Sequence, residues 1–183
     1  MKKPARPITA KYLQSAATFY LERYPSSAEG LRRMLERRVA KAKIAEAPIV
    51  VNVKGVIAEI VAKFVAAGVI DDKAFAQTKA RALHRRGTSG RLTRQKLKLA
   101  GVDPDTLDQA MAGLDQELDT DPRQREWKAA AALARRRRLG PFRAKERKEH
   151  RNRDLATMAR AGFDYELARR VIDAVDSDAL DEG

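Results

Sequence analysis

Four consecutive arginines, Arg135, Arg136, Arg137 and Arg138, form the densest chemistry in this chain. At helical spacing they cover all sides of one turn. A packed helix cannot bury four guanidiniums, so part of that turn faces water or a partner. Two other stretches share this character. Arg32 to Lys43 holds six bases and one acid, with Arg32, Arg33, Arg37 and Arg38 on the outer face of one helix. Lys79 to Lys98 holds eight bases and no acid, among them Arg85, Arg86, Arg91, Arg94, Lys96 and Lys98. The arginine run itself lies in Arg123 to Arg153, where thirteen bases meet three acids. The whole chain has 38 Lys and Arg against 25 Asp and Glu, a net charge of +13. Such groups attract an anionic partner: nucleic acid, an acidic protein surface or a membrane surface. The plain alternative is a helical protein whose wet face happens to be basic.

Other chemistry finds no residues to carry it. His84 and His150 stand alone in basic runs, without a second His or Cys at ligand spacing, and read as surface histidines. Asp71-Asp72 precedes a helix and reads as a cap rather than a catalytic carboxylate pair. The glycines are single and follow helices, so no phosphate-cradling loop is present. Trp127 lies among alanines and reads as packing. No enzyme, metal or cofactor is therefore expected. The chain has no cysteine, which fits a reducing cytoplasm. Its most apolar stretch, Val56 to Ile70, contains Glu59 and Lys63 and is too short to span a bilayer. Residues 1–10 read as a disordered basic lead with no apolar signal core after it. A monomer is expected.

The elements that must position these bases are helices. Ala100-Gly101-Val102-Asp103 and Ala161-Gly162-Phe163-Asp164 are one pattern used twice, with the glycines 61 residues apart. Apolar residues stand four positions before each glycine (Leu97, Met158) and nine, ten and thirteen after it: Ala110, Met111 and Leu114, then Val171, Ile172 and Val175. Each copy reads as helix, left-handed Gly stop, Asp cap, helix. Gly101 and Gly162 are expected at positive φ, and Val at either should cost more than about 1 kcal/mol. Elsewhere, Tyr12-Leu13, Ala16-Ala17 and Tyr20-Leu21 make a helical stripe. Ser26 to Glu29 reads as a capping box. Asp103-Pro104 and Asp121-Pro122 are start signals. Ala40 to Val53 reads as a linker, because Ile49-Val50-Val51 has no second strand to pair with.

The expected fold is all-α, an elongated array of three tandem three-helix repeats. The repeats cover residues 11–70, 71–118 and 119–176, and an acidic, fraying tail covers 177–183. Each group is too small to hold a large core alone, so neighbours should stack. The radius of gyration in small-angle scattering should exceed the roughly 16 Å of a compact chain of this length.

A DNA-reading helix-turn-helix is the competing use of Leu97 to Ala110. Two features oppose it. The position four before the turn glycine is Leu97 or Met158 rather than a small residue. The would-be recognition helices also start with Asp103, Asp105 and Asp108, or Asp164 and Glu166, which repel phosphates.

The motifs in order resemble a known family. These are Tyr20-Leu21-Glu22-Arg23, Ser27 to Leu35, Gly68-Val69-Ile70-Asp71-Asp72 with Phe75-Ala76, Arg85-Arg86-Gly87, Leu97 to Asp103, and Gly162 to Glu166. Over about residues 12–176 the chain is similar to the RecX regulatory proteins, which modulate the bacterial recombinase RecA. It departs from them at Ala40 to Val53, where a shorter Gly-containing turn is common, and at Pro141 to Arg153, which is more basic. The resemblance implies binding in the groove of the RecA–DNA filament, with inhibition of filament growth, ATP hydrolysis and strand exchange, as part of regulating recombination, DNA repair and the SOS response. Single- or double-stranded DNA is a further candidate partner. A non-specific nucleic-acid-binding helical protein is the alternative.

Overall fold

A computed structural model describes residues 7–180. Among them are nine α-helices: α1 (Ala10–Leu21), α2 (Ala28–Ile44), α3 (Val53–Ala66), α4 (Asp72–Arg85), α5 (Gly90–Leu99), α6 (Pro104–Glu117), α7 (Pro122–Arg137), α8 (Arg147–Arg160) and α9 (Tyr165–Asp173). Short 3-10 turns cover Gly140–Phe142 and Asp178–Leu180. The chain is all-α. Two compact units form, one of Met1–Phe75 with Ala100–Val102, the other of Ala76–Leu99 with Asp103–Gly183.

In the first unit α1, α2 and α3 enclose Leu13, Ala17, Leu31, Leu35, Val39, Ile57 and Ile60. The predicted apolar stripes supply these residues. The helix starts differ from expectation in detail. Ser27, not Ser26, caps α2, accepting from the Gly30 N–H at 3.0 Å. Glu29 turns outward to Arg32 and Arg33 instead of reaching back to the cap. Asp71 caps α4 through the Ala74 N–H, and Asp72 accepts from Ala28 N–H at 2.8 Å, so both acids serve helix starts.

Two expectations about irregular segments fail here. Residues 1–6 lie outside the described residues, but Ile8 and Thr9 are not part of a disordered lead. Ile8 is buried, and Thr9 caps α1. Ile8 exchanges backbone hydrogen bonds with Pro48 and Val50, forming an isolated parallel bridge to Ile49. Ile49 therefore has a partner. Two intervening helices hid it, because a lone bridge leaves no alternating pattern to read.

In the second unit one core gathers Trp127, Ala130, Leu133, Ala134, Met158, Phe163, Val171 and Ile172. Leu107, Ala110, Met111 and Leu114 of α6 are buried as well. The duplicated turn is present in both copies. Gly101 has φ +82° and Gly162 φ +94°. Asp103 accepts from Thr106 N–H at 2.9 Å and Asp164 from Leu167 N–H at 2.8 Å. The copies diverge at their ends. Leu114 is buried, whereas Val175 is 86% exposed because α9 stops at Asp173. There the Arg147 guanidinium takes up the carbonyls of Ile172, Ala174 and Val175.

The two glycine turns also dock alike. The Ser27 hydroxyl donates to the Ala100 carbonyl, and the Ser89 N–H donates to the Ala161 carbonyl at 3.1 Å. Each serine stands at the start of a helix, α2 or α5, and each carbonyl directly precedes a turn glycine.

The acidic end is not wholly frayed. Asp181 to Gly183 lie outside the described residues, but Leu180 is 3% exposed and its carbonyl accepts from the Trp127 indole N–H at 3.1 Å. One apolar side chain in an acidic run holds this segment down. Leu180→Ala should lower stability by about 2–3 kcal/mol, read as a shifted denaturation midpoint.

Candidate functional site

The fourteen candidate bases divide by what they touch. On α2, Arg32 donates to Glu29 at 2.7 Å and to Glu36 at 3.2 Å. Arg33 donates to Glu29 at 2.5 Å. Burial pushes the Glu29 carboxyl up, but the two guanidiniums more than reverse this and hold it below the usual range. Arg38 donates to the Tyr12 hydroxyl at 3.1 Å and lies over its ring. Arg37 is exposed and pairs with no carboxylate among the described residues.

In the middle stretch, Arg91 donates to the Gly162 carbonyl at 3.4 Å and Arg94 pairs with Asp108. Arg85, Arg86 and Lys98 are exposed and Lys96 is half-buried. In the last stretch Arg135 lies 5.6 Å from the Phe142 ring centroid. Arg136 donates to the Arg86 carbonyl at 2.7 Å. The four arginines do not share one helical turn, because α7 ends at Arg137 and Arg138 adopts a left-handed cap with φ 54°. All four are nonetheless exposed.

The Arg136 bond joins the C-terminal ends of α4 and α7. Gly87 makes the approach possible, since a Cβ there would lie 2.6 Å from the Leu133 backbone nitrogen. Arg136 thus meets Arg86, and Arg85, Arg135, Arg137 and Arg138 adjoin them along the chain. Carbonyl ends of two helices supply negative partial charge beneath them, which offsets some of the mutual repulsion. This cluster draws bases from two of the basic stretches to the joined helix ends.

Three of the six bases of Pro141 to Arg153 have structural work. Arg143 binds Asp154, Arg147 caps α9, and Arg151 makes two 2.7 Å bonds to Asp173. Arg125 pairs with Asp115 in a buried position that its basic surroundings in sequence do not reveal. His84 is half-buried rather than a surface histidine. Burial, then Arg125 and Lys128, lower its pKa by disfavouring the charged imidazolium. Among the described residues no cluster of His, Cys, Asp or Glu could hold a metal ion, and no helix is long and apolar enough to cross a membrane.

Comparison with known proteins gives these features a family. Residues 71–111 match the model of the RecX second three-helix domain. The chain is 38% identical over 175 residues to the regulatory protein RecX of Myxococcus xanthus, covering 94% of this chain and 90% of that protein. It is 34% identical over 113 residues to the regulatory protein RecX of Agrobacterium fabrum, covering 61% and 56%. Among solved structures, RecX from Lactobacillus salivarius aligns with a TM-score of 0.58 at 17% identity, over 95% of this chain and 97% of that one. A second RecX crystal structure aligns at 0.55 and 18%, over 90% and 71%. These two carry the fold, and the Myxococcus relative carries the membership: the chain belongs to the RecX family of regulatory proteins.

Proposed function

We propose that this chain binds the RecA–DNA filament and inhibits its growth, ATP hydrolysis and strand exchange, acting without chemistry of its own in the cytoplasm. The observation that carries the reading, beside family membership, is the arginine cluster at the joined ends of α4 and α7. The exposed guanidiniums of Arg85, Arg137 and Arg138 suit an anionic nucleoprotein surface and speed encounter with it. Arg91, Arg94 and Arg32 already have partners within the chain and contribute less.

Exposed charge pairs are worth roughly 0–1 kcal/mol each. No single Arg→Ala change in the cluster should abolish inhibition. Reversing Arg85, Arg86, Arg137 and Arg138 together to Glu should abolish it, because repulsion is added to lost attraction. The measurement is RecA-catalysed ATP hydrolysis on single-stranded DNA, titrated with wild type and variant, with circular dichroism as the folding control. Wild type should act well below one molecule per recombinase subunit. Full inhibition by a folded quadruple variant would put the contact surface elsewhere. Inhibition only when the DNA is coated would favour plain nucleic-acid binding, which the +13 charge also suits.

A further inference from the structure

Helix α2 presents two stripes. Leu31, Leu35 and Val39 enter the core. Met34, Arg37, Arg38, Lys41, Ala42 and Ala45 follow at helical spacing on an adjacent face and line an open groove of about 510 Å³. Ile8, Tyr12 and Ala47 complete its walls. A surface helix ordinarily needs one apolar stripe, with the remainder charged. Here the second stripe is mixed: an apolar floor with three cations along it and no carboxylate in the lining. Among the described residues, neither Arg37 nor Lys41 has an ion-pair partner, and Arg38 is held only by Tyr12. Ile44 continues the Arg37–Lys41 row and is 86% exposed.

We infer that this groove docks an acidic peptide segment of a partner protein, one whose carboxylates alternate with one or two large apolar side chains. Charge complementarity selects the sign. The floor selects the peptide. Met34, Ala42 and Ala45 offer an apolar floor for an aliphatic or aromatic side chain, whereas the Tyr12 ring, the one surface in the lining on which a nucleobase could stack, is already covered by Arg38. The inference goes beyond filament inhibition and needs neither recombinase nor DNA.

The test is fluorescence anisotropy of the labelled peptide EDELFDELLDE with the full chain. The peptide EDESSDESSDE, of equal charge, and an oligo-dT strand serve as comparison probes. The acidic–apolar peptide should bind at least about tenfold more tightly than its serine version. Arg37→Glu with Lys41→Glu should weaken it about tenfold or more. Ala45→Glu, a neutral-to-acidic change on an exposed site at the helix end, should weaken it in the same direction while preserving circular dichroism. Equal binding of the serine peptide, binding unmoved by these variants, or loss of oligo-dT binding alone would each overturn the inference.

Discussion

Gly162→Ala lowers stability by about 3 kcal/mol or more, although it adds one methyl group. Two costs combine. At φ +94° an L side chain is strained, which accounts for roughly 1–2 kcal/mol. The new Cβ would also overlap the Ser89 hydroxyl and approach Leu92 Cβ to 2.9 Å. Neither neighbour can retreat cheaply. Ser89 holds the start of α5 through the Leu92 N–H, and its own N–H is bonded to Ala161. Two further substitutions separate the terms. Gly68 has φ +67° with nothing near its Cβ, so Gly68→Ala carries the strain alone, about 1 kcal/mol. Gly113 lies within α6 with open space around it, so Gly113→Ala should stabilise by about 0.5–1 kcal/mol. Chemical denaturation of the three variants checks the order. If Gly162→Ala matched Gly68→Ala, the close docking of the turn would carry no weight.

That turn shows what a sequence discloses and what it withholds. The glycine, the small residue before it and the aspartate after it have local causes: a left-handed stop and a cap. Local causes leave local patterns, and the copies at Gly101 and Gly162 are both readable. The docking partners, Ser27 for Ala100 and Ser89 for Ala161, lie 73 and 72 residues away along the chain and have no pattern of their own. The same division runs through the candidate site. Basic runs are plain in the sequence, but the use of each base depends on which carbonyl or carboxylate the fold brings within reach. Arg147 and Arg151 are as basic as Arg137 and Arg138, yet the first pair secures α9 and the second faces outward. Ile8 and Leu180 were obscured for a related reason. One buried side chain at the end of a polar segment has no periodicity to betray it.

Asp154 gives the second large effect, and its pH dependence identifies the cause. The side chain is 1% exposed. Its carboxylate accepts from the Gly140 N–H at 2.9 Å and from Arg143 at 2.7 and 3.2 Å, fixing the connection between α7 and α8. Burial pushes its pKa up, but Arg143 and the Gly140 N–H outweigh burial and hold it below the usual carboxylate range. Asp154→Ala leaves a backbone donor and a guanidinium without their acceptor and should cost about 3–5 kcal/mol at neutral pH. Asp154→Asn keeps the shape and loses the charge, and should cost about 1.5–3 kcal/mol. A lowered folded-state pKa stabilises fully above the unfolded value and is lost as pH falls through the folded one. The difference between wild type and Asp154→Asn should therefore be constant above about pH 5 and shrink steadily below it. Glu126 has the opposite sign. Burial, its largest influence, raises its pKa despite the hydrogen bond from the Gly90 N–H at 2.8 Å. Its contribution is fullest below the unfolded value and fades as pH rises through the raised one. Glu126→Gln keeps an acceptor for Gly90 and should gain on wild type as pH rises towards neutrality. Denaturation midpoints from acid to neutral pH should thus converge for Asp154→Asn on acidification, and should diverge in favour of Glu126→Gln on the way back up. A pH-independent Asp154→Asn deficit would mean that the buried contact works through shape alone.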